Sequence, residues 1–339
     1  ILEESPERLL GLMMGCGSFV TAAAPAIGPT FGGIMTQYFT WRYIFICVLP
    51  VIVLASFIGY FCMSEQIINK HEKFDLLSFI AVALAFVSLI MGFSNLNQIV
   101  DDLVFVLGCF IIGIISLYYF TKRQLHIKNS LIRIEIFNHK GFTFHTLAIM
   151  FLQMTTLGYG LLLPTFVQIV LKQPATDAGV VLLPGAIVGA VFAPIGGLIL
   201  DRLGAKKPIV LGLCCSFIAT FCFLFFFKNL TYQSCILFYF IYSLGIGLIV
   251  GNTMTSAMSH LPKNLQADGN ATLQTLMQLS GGIGTSITAT ILAFVQQGTN
   301  LYDGTNRGAL FVLIFLMFNI NIVILSQYFA FKGGKKNEF

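Results

Sequence analysis

The apolar positions of this chain neither alternate nor keep to one helical stripe. They run on for about twenty residues and then stop at a polar link. Ten such runs fall at about 8–35, 41–63, 75–95, 102–121, 142–171, 177–200, 208–228, 232–259, 268–296 and 308–331. A helix needs roughly 20 apolar residues to cross a bilayer. Continuous runs of that length predict helices and exclude the alternating strands of a membrane β-barrel. The pattern predicts an all-α polytopic membrane protein, a helical bundle of about ten transmembrane helices. Two links are longer than the rest, 64–74 and 122–141, and both mark places where bundles are joined.

Small residues interrupt the apolar bulk at a regular period. Ala24, Gly28 and Gly32 are spaced by four and predict a bare ridge on the first helix. Pro25 and Pro29 lie beside it, and each lacks an amide hydrogen. A membrane helix carries such prolines only where neighbouring helices cover the freed carbonyls. Gly185, Gly189, Ala193 and Gly197 form a second ridge of the same period on the sixth span. The Ala24/Gly28/Gly32 face is expected to cross the Gly189/Ala193 face at close range.

Composition sharpens this picture. The chain is 57% hydrophobic and 10% charged, which removes the soluble classes. Placing the N-terminus inside puts fifteen of the 19 Lys and Arg residues on the inner side. Only Arg42, Lys172, Lys228 and Arg307 then lie outside. The positive-inside bias therefore predicts a cytoplasmic C-terminus and a cytoplasmic 122–141 link. The eight cysteines all sit in apolar segments without a CxxC pair, and they read as small core hydrophobes rather than metal ligands or disulfides. No cofactor is expected.

Ala24-Pro25-Ala26-Ile27-Gly28-Pro29-Thr30-Phe31-Gly32-Gly33 closely resembles the Gly-Pro antiporter motif of the major facilitator superfamily. In that family the motif lies on the fifth helix of drug:proton antiporters. Trp41-Arg42-Tyr43-Ile44-Phe45, with Pro50, resembles the start of the sixth helix. Gly197-x-x-x-Asp201-Arg202-x-Gly204-x-Lys206-Lys207 resembles the cytoplasmic loop motif found between helices two and three of each six-helix half. Here Gly197 permits close helix approach, and Asp201 can face the positive N-terminus of a neighbouring helix. Phe74-Asp75, the stretch 131–142, Leu182-Leu183-Pro184-Gly185, and the run from Gly269 through Gly281-Gly282-x-Gly284 extend the resemblance, in its fourteen-helix branch, over essentially the whole chain.

The resemblance implies a division of the chain. Residues 1–63 become the last two helices of the N-terminal half, and 64–121 a link with a two-helix insertion. Residues 122–141 become a cytoplasmic link, 142–331 a complete six-helix C-terminal half, and 332–339 a cytoplasmic tail. On this alignment the chain begins at helix five, so the first four helices are a missing partner, and residues 1–339 alone are not expected to carry out coupled export. The resemblance also implies that Asp201 lies near the first span around Pro6 to Arg8. It implies further that the face around Gly281 and Thr285 is uncovered.

Chemistry must come from few polar groups. No acid lies deep in a span: Asp75, Asp177 and Asp268 sit at entrances and Asp201 at an exit. Asp177 and Asp268 read as helix N-caps and as reserve proton sites. Gln153, Tyr159, Asn252, Gln274 and Gln278 lie deep and are the candidate substrate-binding residues. Gly28, Pro29, Gly32, Gly33, Gly189, Gly197, Asp201, Arg202 and Gly204 are the structural and gating candidates. His71, His126, His139, His145 and His260 all fall near one face and read as scattered surface groups. The absence of a Ser/His/Asp set, an HExxH pair or a phosphate loop argues against an enzyme, and no filter repeat suggests a channel. The resemblance implies a multi-pass cell-membrane transporter that exports lipophilic or cationic drugs by proton antiport and alternating access. Its partners are small lipophilic substrates, protons and the lipid bilayer, with no nucleic acid. A narrower exporter of a siderophore or peptide antibiotic, or a non-transporting sensor, are the alternatives.

Overall fold

The computed structural model describes residues 10–62, 75–98, 102–127 and 132–334, and among these every regular element is helical. In chain order they are α1 (Leu10–Tyr38), α2 (Arg42–Cys62), α3 (Leu76–Ser94), α4 (Leu103–His126), α5 (Lys140–Ile169), α6 (Ala175–Val180), α7 (Leu183–Leu203), α8 (Lys206–Phe225), α9 (Tyr232–Ser259), α10 (Gln266–Gln296) and α11 (Leu301–Gly334). Nine described helical segments are long and apolar enough to cross a membrane, with α6 and α7 counting together as Ala175–Leu203. The tenth expected span is α1, 29 residues long. The sixth expected span is broken in two, with Pro184 in the first turn of α7. Proline is well placed there because that amide has no helical partner.

Helices α5 and α7 to α11 enclose the main core, which includes Tyr159, Tyr242, Phe223, Val312 and Leu316. A second core joins Ile136, Phe142, Met258 and Leu273. Small residues bring the backbones together. A Cβ at Gly189 of α7 would stand 2.8 Å from the Ser243 carbonyl oxygen of α9, and one at Gly247 of α9 would strike the Gly189 backbone. Gly212 of α8 meets the Gly245 carbonyl in the same manner. Gly185 and Gly189 of the expected α7 ridge are therefore taken by α9, and so is the neighbouring Gly196. Outward faces are apolar: on α2, Phe45, Leu49, Val53 and Phe57 are all more than half exposed. Water does not tolerate such a surface, and a bilayer does. Cys109 and Cys235 are buried, but Cys47 and Cys214 lie on outward faces, so the cysteines are not all core residues.

The α3–α4 hairpin is closed by a polar clamp. Asp75 caps α3, and Arg123 of α4 donates to both its oxygens, from Nε and Nη2, at 3.0 Å each. The Ser78 hydroxyl also donates to Asp75. The Arg123 guanidinium and Ser78 hold the Asp75 carboxyl well below the usual carboxylate range. Gln124 donates to Ser78 at 2.8 Å and accepts the Ile132 amide at 3.1 Å, which ties the following link to the hairpin. Beyond that link, Arg133 pairs with Asp268 at 3.2 Å. The hairpin itself lies on α10: Ser94 and Ser286 share a hydrogen bond of 2.8 Å, and Thr290 donates to the Phe93 carbonyl at 2.8 Å.

Candidate functional site

Helix α1 runs along α6 and α7, the helix pair expected for the two ridges, but it uses different faces. Gly28 is exposed, and a Cβ on Gly28 or Gly32 would meet open space among the described residues. Gly33 is the close contact, where a Cβ would stand 2.6 Å from the Ala175 carbonyl oxygen. A Cβ at Gly179 of α6 would strike the Pro29 carbonyl. Thr30 donates to the Gly179 carbonyl at 3.1 Å, and Gln37 accepts the Thr176 amide at 3.0 Å. The expected Gly28–Gly189 crossing is thus replaced by a Pro29/Thr30/Gly33 contact with α6, and Gly189 serves α9 instead. The face around Gly281 is also not bare. A Cβ there would meet Leu157 of α5 at 2.6 Å, and one at Gly282 would meet Ile90 of α3 at 3.1 Å. The α3–α4 hairpin and α5 occupy the face that was expected to stay open.

At its other end α1 meets the loop motif. Asp201, in the last turn of α7, accepts the Leu12 amide hydrogen at 3.0 Å. Leu12 lies in the first turn of α1, where amides have no helical partner and the dipole is positive. The contact falls beyond Pro6–Arg8, which lie outside the described residues. Gly197 is buried in α7, and Arg202 is exposed. Gly204 ends α7 with φ of 81° and donates its amide to the Leu200 carbonyl at 2.8 Å, a backbone that favours glycine. Asp201→Ala is expected to cost about 0.3–1 kcal/mol through loss of this dipole contact. Thermal unfolding checks it, with the exposed Arg202→Ala expected to melt like the parent.

The five candidate substrate residues separate into two groups. Tyr159 is fully buried, donates to Thr220 of α8 at 3.1 Å, and packs at tilted and edge-on angles among Phe223, Tyr239 and Tyr242. Asn252 is 2% exposed, donates to the Leu248 carbonyl at 2.7 Å, and lies against Gly196 of α7. Both face neighbouring helices. Gln153 and Gln274 are half-buried and Gln278 is exposed. The Gln153 side chain lies against Gly281, so the structure brings it to the α10 face that carries the other two glutamines. None of these three side chains makes a hydrogen bond among the described residues.

Other polar residues were misjudged or missed in the sequence. Asp177 and Asp268 occupy the third positions of α6 and α10 and are not N-caps; those are Pro174 and Leu265. Thr156 of α5 bonds Tyr242 of α9 at 2.9 Å. His145 is not a surface group: it is fully buried and shares a hydrogen bond of 3.0 Å with Ser256 of α9. The only sequence signal for these residues is a single polar letter in an apolar run.

Comparison with known proteins gives this geometry a context. The family model described as Major Facilitator Superfamily matches residues 1–285. The chain is 30% identical over 303 residues to "Lincomycin resistance protein LmrB" of Listeria monocytogenes, covering 89% of this chain and 64% of that protein. It is 32% identical over 299 residues to the Bacillus subtilis protein of the same name, covering 86% of this chain and 62% of that one. The "Tetracenomycin C resistance and export protein" of Streptomyces glaucescens is 24% identical over 294 residues, covering 85% and 54%. The chain thus spans less than two thirds of the length of these relatives.

Proposed function

The chain belongs to the major facilitator superfamily, and from that premise we propose that it works in secondary active efflux, exporting lipophilic, often cationic compounds in exchange for protons. The observation that carries this reading is the likeness, over 303 residues, to a protein named for lincomycin resistance. The polar face supports it. Gln153, Gln274 and Gln278 offer sparse neutral hydrogen-bonding groups, which suits amphipathic substrates better than ions or sugars. The 34 phenylalanines and 11 methionines add cation–π and adaptable contacts. In this reading 142–331 is one complete six-helix half. It rocks against the half that contains α1 and α2, and the α1 contact with α6–α7 is the hinge line. Asp201 steadies one end of that line, and Pro29, Gly33 and Gly179 the other.

Orientation in the cell membrane follows from the charge bias, with the 122–141 link and the C-terminus cytoplasmic. In intact cells, cysteines placed at Lys128 and Lys335 are expected to resist an impermeant maleimide and to react after permeabilisation. Labelling from outside overturns the orientation. For transport, proteoliposomes holding the full-length protein are expected to move a fluorescent lipophilic cation when a pH gradient is imposed, and to stop when a protonophore collapses it. Movement that ignores the gradient refutes antiport. A second reading, a narrow exporter of one antibiotic class, draws on the tetracenomycin relative. A substrate panel in the same vesicles separates the two.

A further inference from the structure

We propose that the α3–α4 hairpin is one wall of the substrate groove and that Phe86 of α3 is its aromatic contact. The groove then selects aromatic compounds that carry hydrogen-bonding groups, a substrate class that rests on the efflux reading above.

Helix α10 is flanked on two sides. A Cβ at Gly281 would meet Leu157 of α5 at 2.6 Å and Gln153 of α5 at 3.3 Å, and one at Gly282 would meet Ile90 of α3 at 3.1 Å. Successive helix positions point about 100° apart, so α5 and α3 stand on either side of a strip of α10. Gln278 precedes Gly281 by three residues and Gly282 by four, which places it between the two directions. Gln274 and Thr285 fall in the same sector. The strip is open: Gln278 is exposed, and Gln274 and Thr285 are half-buried. Thr285 donates its hydroxyl to the Gly281 carbonyl at 3.0 Å. The Gln153, Gln274 and Gln278 amides make no hydrogen bond among the described residues. Unpaired amides within a membrane span are costly, and a ligand that bonds them removes that cost.

The hairpin supplies the flat apolar part. Ser94 bonds Ser286 at 2.8 Å, a separation of 192 residues, and Ile90 lies against Gly282 at the same separation. The two helices therefore run parallel in one register. One turn earlier, that register sets Phe86 level with Gln278. Phe86 shares the face of Ile90 and is half-buried, whereas Leu84 and Val87 on the outward side are 47% and 55% exposed. The remaining side of α3 is taken by α4, with Gly92 against the Phe110 ring. A phenyl ring beside a row of free amides suits a planar compound with a polar edge, its face on Phe86 and its edge on the glutamines.

Fixed charge contributes little. Asp268, at the start of α10, is paired with Arg133 at 3.2 Å, and Asp75, at the start of α3, with Arg123 at 3.0 Å. Selection then depends on ring stacking and amide hydrogen bonds. An aliphatic cation finds neither.

The test uses the full-length protein in nanodiscs and ethidium fluorescence, which reports binding without transport. Ethidium, a planar ring system with two amino groups, is expected to bind. Tetrabutylammonium, a cation with neither ring nor donor, is expected not to displace it. Phe86→Leu removes the ring and is expected to weaken ethidium binding roughly three- to tenfold, while Phe86→Tyr binds like the parent. Gln278→Leu, at an exposed position, is expected to weaken it by a similar factor. Leu84→Ala, on the outward face, should match the parent. Thermal midpoints check that each variant is folded, and Phe86→Met replaces Phe86→Leu if that variant is not. Parent-like affinity in a folded Phe86 or Gln278 variant that lacks the ring or the amide overturns the proposal. Displacement by tetrabutylammonium, a Phe86→Tyr as weak as Phe86→Leu, or a parent that binds no ethidium does the same. Ethidium binding without gradient-driven movement in vesicles fails the efflux reading and leaves the groove as a binding site.

Discussion

Gly247→Leu is expected to force α7 off α9 and to destabilise the protein by about 1–3 kcal/mol, the usual cost of overpacking a filled core. The reason is the identity of the obstacle. A Cβ at Gly247 would strike the carbonyl oxygen and Cα of Gly189, and one at Gly189 would stand 2.8 Å from the Ser243 carbonyl. Those are backbone atoms, which cannot swing aside as a side chain can. Gly185 against Tyr239 and Gly196 against Leu248 continue the same seam, so a local shift is resisted along the whole crossing. Gly160 on α5 supplies the control, because a Cβ there meets open space. Thermal unfolding of the purified protein should show a lowered midpoint for Gly247→Leu and none for Gly160→Leu. Equal midpoints would mean that the α7–α9 seam relaxes freely, and the packing account would fail.

Much of the architecture was legible because the decisive signal is crude. An apolar run of about 20 residues has few uses other than a buried or membrane helix. The α1–α7 partnership was legible as well, from the resemblance of two short motifs. Which faces meet was not. On α1, Gly28 and Gly32 lie one residue from Pro29 and Gly33, and one residue turns a helix by about 100°. Both sets share the period of four, so spacing reveals a bare ridge without revealing what fills it. On α7 the same ambiguity hid the claim of α9 on Gly189. The polar residues fail for a related reason. Gln153 and Tyr159 are six residues apart, about 240° around the helix, and cannot share one wall. His145 lies near a helix end, which suggested the surface, yet depth along a helix says nothing of which side a residue faces. Asp201 succeeded because its motif names a charge and a loop, and a helix N-terminus is what a carboxylate near that loop can use.

Gly33→Leu is expected to abolish transport, and Gly28→Leu to leave it intact. The two positions sit five residues apart on α1 and differ only in what they touch. A side chain at Gly33 enters the Ala175 carbonyl and presses on Gly179, whereas one at Gly28 meets nothing among the described residues. The collision falls beside the Thr30–Gly179 and Gln37–Thr176 hydrogen bonds, so those are strained in the same step. At the opposite end of the crossing Asp201 still holds the Leu12 amide. The substitution therefore pries the α1–α6 end apart and leaves the α1–α7 end joined, which is the geometry of a rocking hinge stopped on one side. About 1–3 kcal/mol of overpacking shifts a two-state equilibrium by roughly tenfold or more, enough to trap an alternating-access cycle in one state. Vesicle transport by the full-length protein measures the outcome, with membrane insertion expected to be equal for both variants. Loss of transport in Gly28→Leu with retention in Gly33→Leu would restore the Gly28 ridge as the working contact and remove the α6 contact from the mechanism.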